Sequence, residues 1–117
     1  MRLGHLLAFA FVVSVPLLAL ADGPKNLQVL PKNSTKEQVK AIMKEQSKAL
    51  GVECDFCHDV PDMASDANKM KALAREMLKM TAEINAKYIK GLKDADKNQV
   101  SCGTCHRGKD TPPPFGK

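Results

Sequence analysis

Apolar positions fall into three blocks along the chain, each with its own spacing. The first is a long apolar run from Leu3 to Leu20, interrupted at His5 and Ser14: Met1 and Arg2 precede it, and Ala19-Leu20-Ala21 leads into Asp22. A short basic start, an apolar centre and an A-x-A site predict a secretory signal peptide over 1–21 and a mature chain over 22–117. The alternative is a retained membrane anchor, since the run is almost long enough to cross a bilayer. Pro16 near its end and the A-x-A site favour cleavage, and the cut carries no cysteine for a bacterial lipid anchor.

The second block follows a polar lead-in, DGPKNLQVLPKN. Over 34–51, Val39, Ile42, Met43 and Leu50 recur at i, i+3, i+4 and i+11, the stripe of an amphipathic helix. Ser34 and Glu37 fit a capping box at its start. Gly51 stops it, because glycine takes the left-handed conformation cheaply. The third block, 67–90, repeats Met70, Leu73, Met77, Ile84 and Tyr88 every three to four residues, with Met80 and Thr81 beside them. Asp66 or Ser65 is expected to cap this helix and Gly91 to end it. A charged loop, LKDADKNQ, and a proline-rich tail, TPPPFGK, surround the remaining segment. No alternating strand pattern of useful length occurs. The expected fold is mainly α: a small domain with two long helices, each preceding a cysteine motif that carries a short helix of its own.

Composition sharpens this. The mature part has no tryptophan and one tyrosine, too little for a sizeable core. A domain this small usually needs disulfides, a metal or a cofactor to hold it. Without Arg2 the mature chain carries 17 basic and 13 acidic residues, a formal +4. Lys36, Lys40, Lys44 and Lys48 recur at helical spacing among acids, the pattern of a solvated face rather than of a nucleic-acid-binding surface.

The chemistry lies in the two motifs. VECDFCHDV (52–60) sets Cys54, Cys57 and His58 as C-x-x-C-H, and VSCGTCHRG (100–108) repeats the pattern with Cys102, Cys105 and His106. Disulfides are one reading, but a C-x-x-C bridge closes a tiny loop and stabilises little. Zinc is another, but a long helix separates the pairs and both histidines stay unexplained. Attachment of a c-type haem at each motif explains every residue. Two thiols form thioethers with the two vinyl groups, and the next residue's imidazole lies beneath the iron. The mature chain has two histidines, and both occupy that slot. Two haems would also bring four propionates, bringing the charge to about neutral.

With both histidines proximal, a distal ligand from this chain must be a thioether or a weaker group. Met43, Met63, Met70, Met77 and Met80 are available. Methionine on a helical stripe is often core filler. Met43, however, lies on the helix that runs straight into Cys54, and so few aromatics leave little other than haem for it to face. In the second helix Met77 and Met80 are turned about 60° apart, and periodicity leaves both open.

At these residues the chain resembles the cytochrome c subunit of photosynthetic reaction centres. An N-x-x-V-L lead-in (26–30) precedes a helix with a central Met, then Cys54-Asp55-Phe56-Cys57-His58. ASD (64–66), a helix with AREM (74–77) and Asn85, and VSCGTCHRG with its proline-rich exit follow in order. The resemblance implies a haem electron carrier with Met43 as distal ligand of the His58 haem. It implies Met77, rather than Met80, for the His106 haem. The family's subunit carries four haems and commonly a lipid-bearing cysteine. This chain has two motifs and no such cysteine, so the two-haem unit transfers and the reaction-centre partnership does not. The expectation is a periplasmic dihaem carrier, not an enzyme, passing single electrons between periplasmic redox proteins or to a membrane respiratory or photosynthetic complex. The rival is a haem enzyme or gas sensor with one open axial position.

Overall fold

The structure is a computed structural model, and it describes residues 23–116. The expected leader, 1–21, lies outside the described residues. Three α-helices follow in order: α1 (Lys36–Leu50), α2 (Lys69–Ile84) and α3 (Cys102–His106). A 3-10 turn, Cys54–Phe56, sits between α1 and α2, and a π-helical turn, Asn85–Ile89, extends α2. No strand occurs among the described residues. The architecture is therefore mainly α, with a short helical element at each cysteine motif.

The capping box of α1 lies one residue later than Ser34 and Glu37 would place it. Thr35 Oγ1 accepts from the Gln38 amide (3.2 Å), and Gln38 Oε1 accepts from the Thr35 amide (2.8 Å). Both pairs satisfy the sequence rule. Ser34 cannot serve because its own amide already donates to Pro31 O at 3.0 Å. Along α1 the predicted stripe is half-buried and Lys36, Lys40, Lys44 and Lys48 are exposed.

Gly51 closes α1 at φ +69°. A Cβ there would lie 2.3 Å from the Gly108 carbonyl oxygen. Gly108 in turn donates its amide to Ala49 O at 2.8 Å, and Gly103 of α3 sits over the Ala49 methyl. The residue just after the second motif is thus pinned to the turn just before the first. Gly51→Ala is expected to lower stability by about 2 kcal/mol, combining left-handed strain with a backbone clash. The thermal unfolding midpoint of the holoprotein measures it, and an unchanged midpoint would show that this junction does not matter.

Neither Asp66 nor Ser65 caps α2. Asn68 does, its Oδ1 accepting from the Met70 amide at 2.9 Å. Asp66 is committed elsewhere: its carboxylate accepts from Asn26 (2.9 Å) and Gln28 (3.2 Å) and pairs with Arg75 (2.9 Å) and Lys71 (3.3 Å). Ser65 Oγ instead accepts from the Ala67 amide at 3.2 Å, holding a local turn. Asn26 also donates to Ala64 O at 2.7 Å, so the lead-in is latched to the loop ahead of α2.

The hydrogen bond from Asn26, with those from Arg75 and Lys71, holds the Asp66 carboxyl well below the usual carboxylate range. Folding therefore favours its ionised form. The resulting stability is present above the unfolded carboxylate range near pH 4 and fades as pH falls through the lower folded value. Asp66→Asn is expected to be less stable than the parent protein at pH 7, and the gap should narrow steadily below about pH 4. Paired thermal melts across pH measure this; a gap independent of pH would refute it.

The faces of α2 depart from the expected stripe. Met70, Ala74, Leu78, Thr81 and Asn85 form its half-buried side. Leu73, Met77, Met80 and Tyr88 are exposed, by 46%, 38%, 44% and 68%. Leu73, Met77, Met80 and Ile84 fall within about 60° of one another on a helical projection, a continuous apolar strip next to the packed side. Periodicity alone merges the two sides because each is apolar. Among the described residues no side chain is fully buried. The polypeptide does not build a core against itself.

Candidate functional site

Each cysteine motif is wound into one helical turn. In the first, the amides of Cys57 and His58 both donate to Cys54 O, at 3.3 and 3.0 Å; the second is α3 itself. Residues i, i+3 and i+4 of such a turn share a face, which places Cys54, Cys57 and His58 together, and likewise Cys102, Cys105 and His106. All four thiols are free in the structure. Among the described residues no three Cys, His, Asp or Glu side chains gather as a metal site. Burial pushes the Cys57 thiol up from its ordinary value.

The histidines are oriented alike. His58 Nδ1 lies 3.0 Å from Met63 O, and His106 Nδ1 lies 2.8 Å from Lys109 O. A carbonyl can only accept, so Nδ1 carries the proton and Nε2 presents a lone pair. That is the tautomer a metal-ligating imidazole needs.

Asparagines at the two ends of α2 hold the motifs in place, a function that periodicity does not reveal. Asn68 Nδ2 donates to the carbonyls of Asp55 (3.4 Å) and Phe56 (3.2 Å) within the first motif. Asn85 exchanges two hydrogen bonds with Val100, both 2.8 Å, at the entrance to the second. Asn85 also opens the π-turn, its carbonyl accepting from the Lys90 amide at 2.9 Å. A side-chain amide can match the donor and acceptor of one backbone residue at once, which suits Asn to this clamp. Of the methionines, Met43 and Met70 are half-buried on α1 and α2, whereas Met63, Met77 and Met80 are exposed.

The family model for the photosynthetic reaction centre cytochrome c subunit matches residues 19–115. The chain belongs to this family. It is 38% identical over 81 residues to cytochrome c-554 of Chloroflexus aurantiacus, covering 69% of this chain and 20% of that protein. It is 34% identical over 59 residues to the reaction center cytochrome c subunit of Rubrivivax gelatinosus, covering 50% and 15%. With the corresponding subunit of Roseobacter denitrificans the identity is 30% over 106 residues, covering 80% and 28%. The chain thus spans less than a third of the length of these relatives.

A cytochrome c family implies covalently bound c-type haem as its cofactor. The residues present fit that group. Free thiol pairs stand beside a correctly protonated imidazole on each turn. An exposed apolar strip on α2 and the half-buried stripe of α1 offer apolar surface to a macrocycle.

Proposed function

We propose that the chain is an exported dihaem c-type cytochrome carrying single electrons between redox partners. The observation that supports this best is the duplicated site: two C-x-x-C-H turns, each with its imidazole Nδ1 bound to a backbone carbonyl. Cys54 and Cys57 would hold one haem and Cys102 and Cys105 the other, with His58 and His106 as proximal ligands. Met43 would complete the first site and Met77 the second, Met80 being the weaker choice. Haem bound in this way supplies one-electron redox chemistry at its iron.

The rest is the work of the chain. Met63 O and Lys109 O fix the tautomer and plane of each imidazole, so each ring would be held as a proximal ligand without having to turn. Asn68 and Asn85 stiffen the turns that carry the thiols. The Gly51–Gly108 junction holds the two motifs to one frame, which favours transfer between them. Thioether donors on the distal side would raise the reduction potentials.

Two of the relatives are named as reaction center subunits. A membrane redox complex, respiratory or photosynthetic, or a soluble periplasmic carrier is the partner class that fits an exported cytochrome. No helix among the described residues is long and apolar enough to cross a membrane.

A visible spectrum of the purified exported protein, with carbon monoxide and with an intact mass, tests this reading. The expected result is two c-type haems per chain, both low-spin and indifferent to carbon monoxide. One haem per chain would overturn the dihaem reading. A high-spin fraction that binds carbon monoxide would favour an enzyme or gas sensor with an open axial position.

A further inference from the structure

The two histidines differ in one respect: what else holds the carbonyl that each addresses. Met63 O, the acceptor of His58 Nδ1 (3.0 Å), also accepts from Lys71 Nζ at 3.1 Å. Lys71 is held there firmly. Its ammonium reaches Ala64 O (3.0 Å) and Ser65 O (2.6 Å) as well, and its side chain is only 11% exposed. Asp66 lies on its far side at 3.3 Å, but that carboxylate also faces the Arg75 guanidinium at 2.9 Å. Lys71 and Arg75 thus share one anion. Asp59 and Asp62 in the same loop bind Ser65 Oγ and the Ala64 amide instead. Lys109 O, the acceptor of His106, receives no second donor among the described residues.

We propose that Lys71 makes the haem held by His58 the higher-potential member of the pair, acting through the Met63 carbonyl that it shares with the imidazole. The inference rests on the reading of His58 and His106 as proximal ligands. A carbonyl free to accept one strong hydrogen bond draws the Nδ1 proton toward itself and makes Nε2 a better donor, which stabilises oxidised iron. A cation on the same oxygen withdraws that electron density, so Met63 O accepts less strongly from His58 Nδ1 and His58 Nε2 donates less. Oxidised iron is then less favoured at His58 than at His106. Lys71 touches neither thiol nor imidazole, so it is a positioning and tuning residue.

Potentiometric titration of the holoprotein, followed by the visible spectrum, decides it. The parent protein is expected to show two one-electron waves. In Lys71→Met the upper wave should move down while the lower stays, narrowing the gap; Lys71→Arg, which keeps the donor and the charge, should restore it. Equal movement of both waves, movement of the lower one alone, or no movement would overturn the proposal. If Lys71→Met does not accumulate with haem, Asp66→Asn probes the same link with opposite sign. Removing the anion strengthens the pull of Lys71, and the upper wave should rise; an unmoved or falling wave would overturn the proposal. Haem content and spin state, taken on each sample, separate this from the parent reading. Fewer than two low-spin haems in the unaltered protein indicts the dihaem assignment, whereas two haems with an insensitive gap indicts Lys71 alone.

Discussion

A chain with both Cys102 and Cys105 replaced by alanine is expected to lose half its haem and, with it, cooperative unfolding. The reason lies in what joins α3 to the rest. Among the described residues the hydrogen bonds that tie it there are the Gly108–Ala49 bond and the Asn85–Val100 pair, beside the close approaches of Gly103 to Ala49 and of Gly51 to Gly108. Each such bond contributes about 1 kcal/mol net. Ordering each residue costs about 1–2 kcal/mol of backbone entropy, so a handful of bonds cannot hold the second half without a large buried surface. No described side chain is fully buried to supply that surface. Haem content by pyridine haemochrome and a far-ultraviolet circular dichroism melt test this together. A sharp transition at the parent midpoint, in a chain with half the haem, would show that the polypeptide folds without the second cofactor.

Met43→Ala is expected to open the first site, so that the reduced protein binds about one carbon monoxide per chain where the parent binds none. Met43 is half-buried on the stripe it shares with Val39 and Ile42, and it is the methionine of α1. Alanine leaves no donor atom, and a small ligand can take the position. One reduction wave should fall as well, because loss of a thioether removes the preference for reduced iron. Unchanged spectra with no carbon monoxide uptake would strike Met43 from the ligand set. The same measurement on Met77→Ala and Met80→Ala decides the second site. Both lie on the exposed strip of α2, at 38% and 44%, a difference too small to separate them by burial.

The family and the helical class were legible in the sequence because their signals are local. Cysteine and histidine spacing within five residues specifies a shared face once the turn winds, and α1 carries its apolar stripe, capping residues and closing glycine in order. The small aromatic content pointed to a core not made of side chains, in keeping with a chain that leaves no described side chain fully buried. Where local rules were ambiguous, hydrogen-bond partners decided, some in a neighbouring turn and some distant in sequence. Ser34 and Thr35 both suit a capping box, and a turn to Pro31 O withdrew the first. Asp66 suits an N-cap, but Asn26 and Arg75 claimed its carboxylate, leaving Asn68 to cap α2 and brace the first motif. The split of α2 into a packed side and an apolar strip depends on where α3 and the lead-in lie, which a 3.6-residue period does not encode. The clamp of Asn85 on Val100, the junction of Gly51 with Gly108, and the sharing of Met63 O between His58 and Lys71 join residues up to 57 positions apart. Such pairings exist only once the chain has closed on itself, because hydrogen-bond and steric complementarity are properties of positions in space, not of neighbours in sequence.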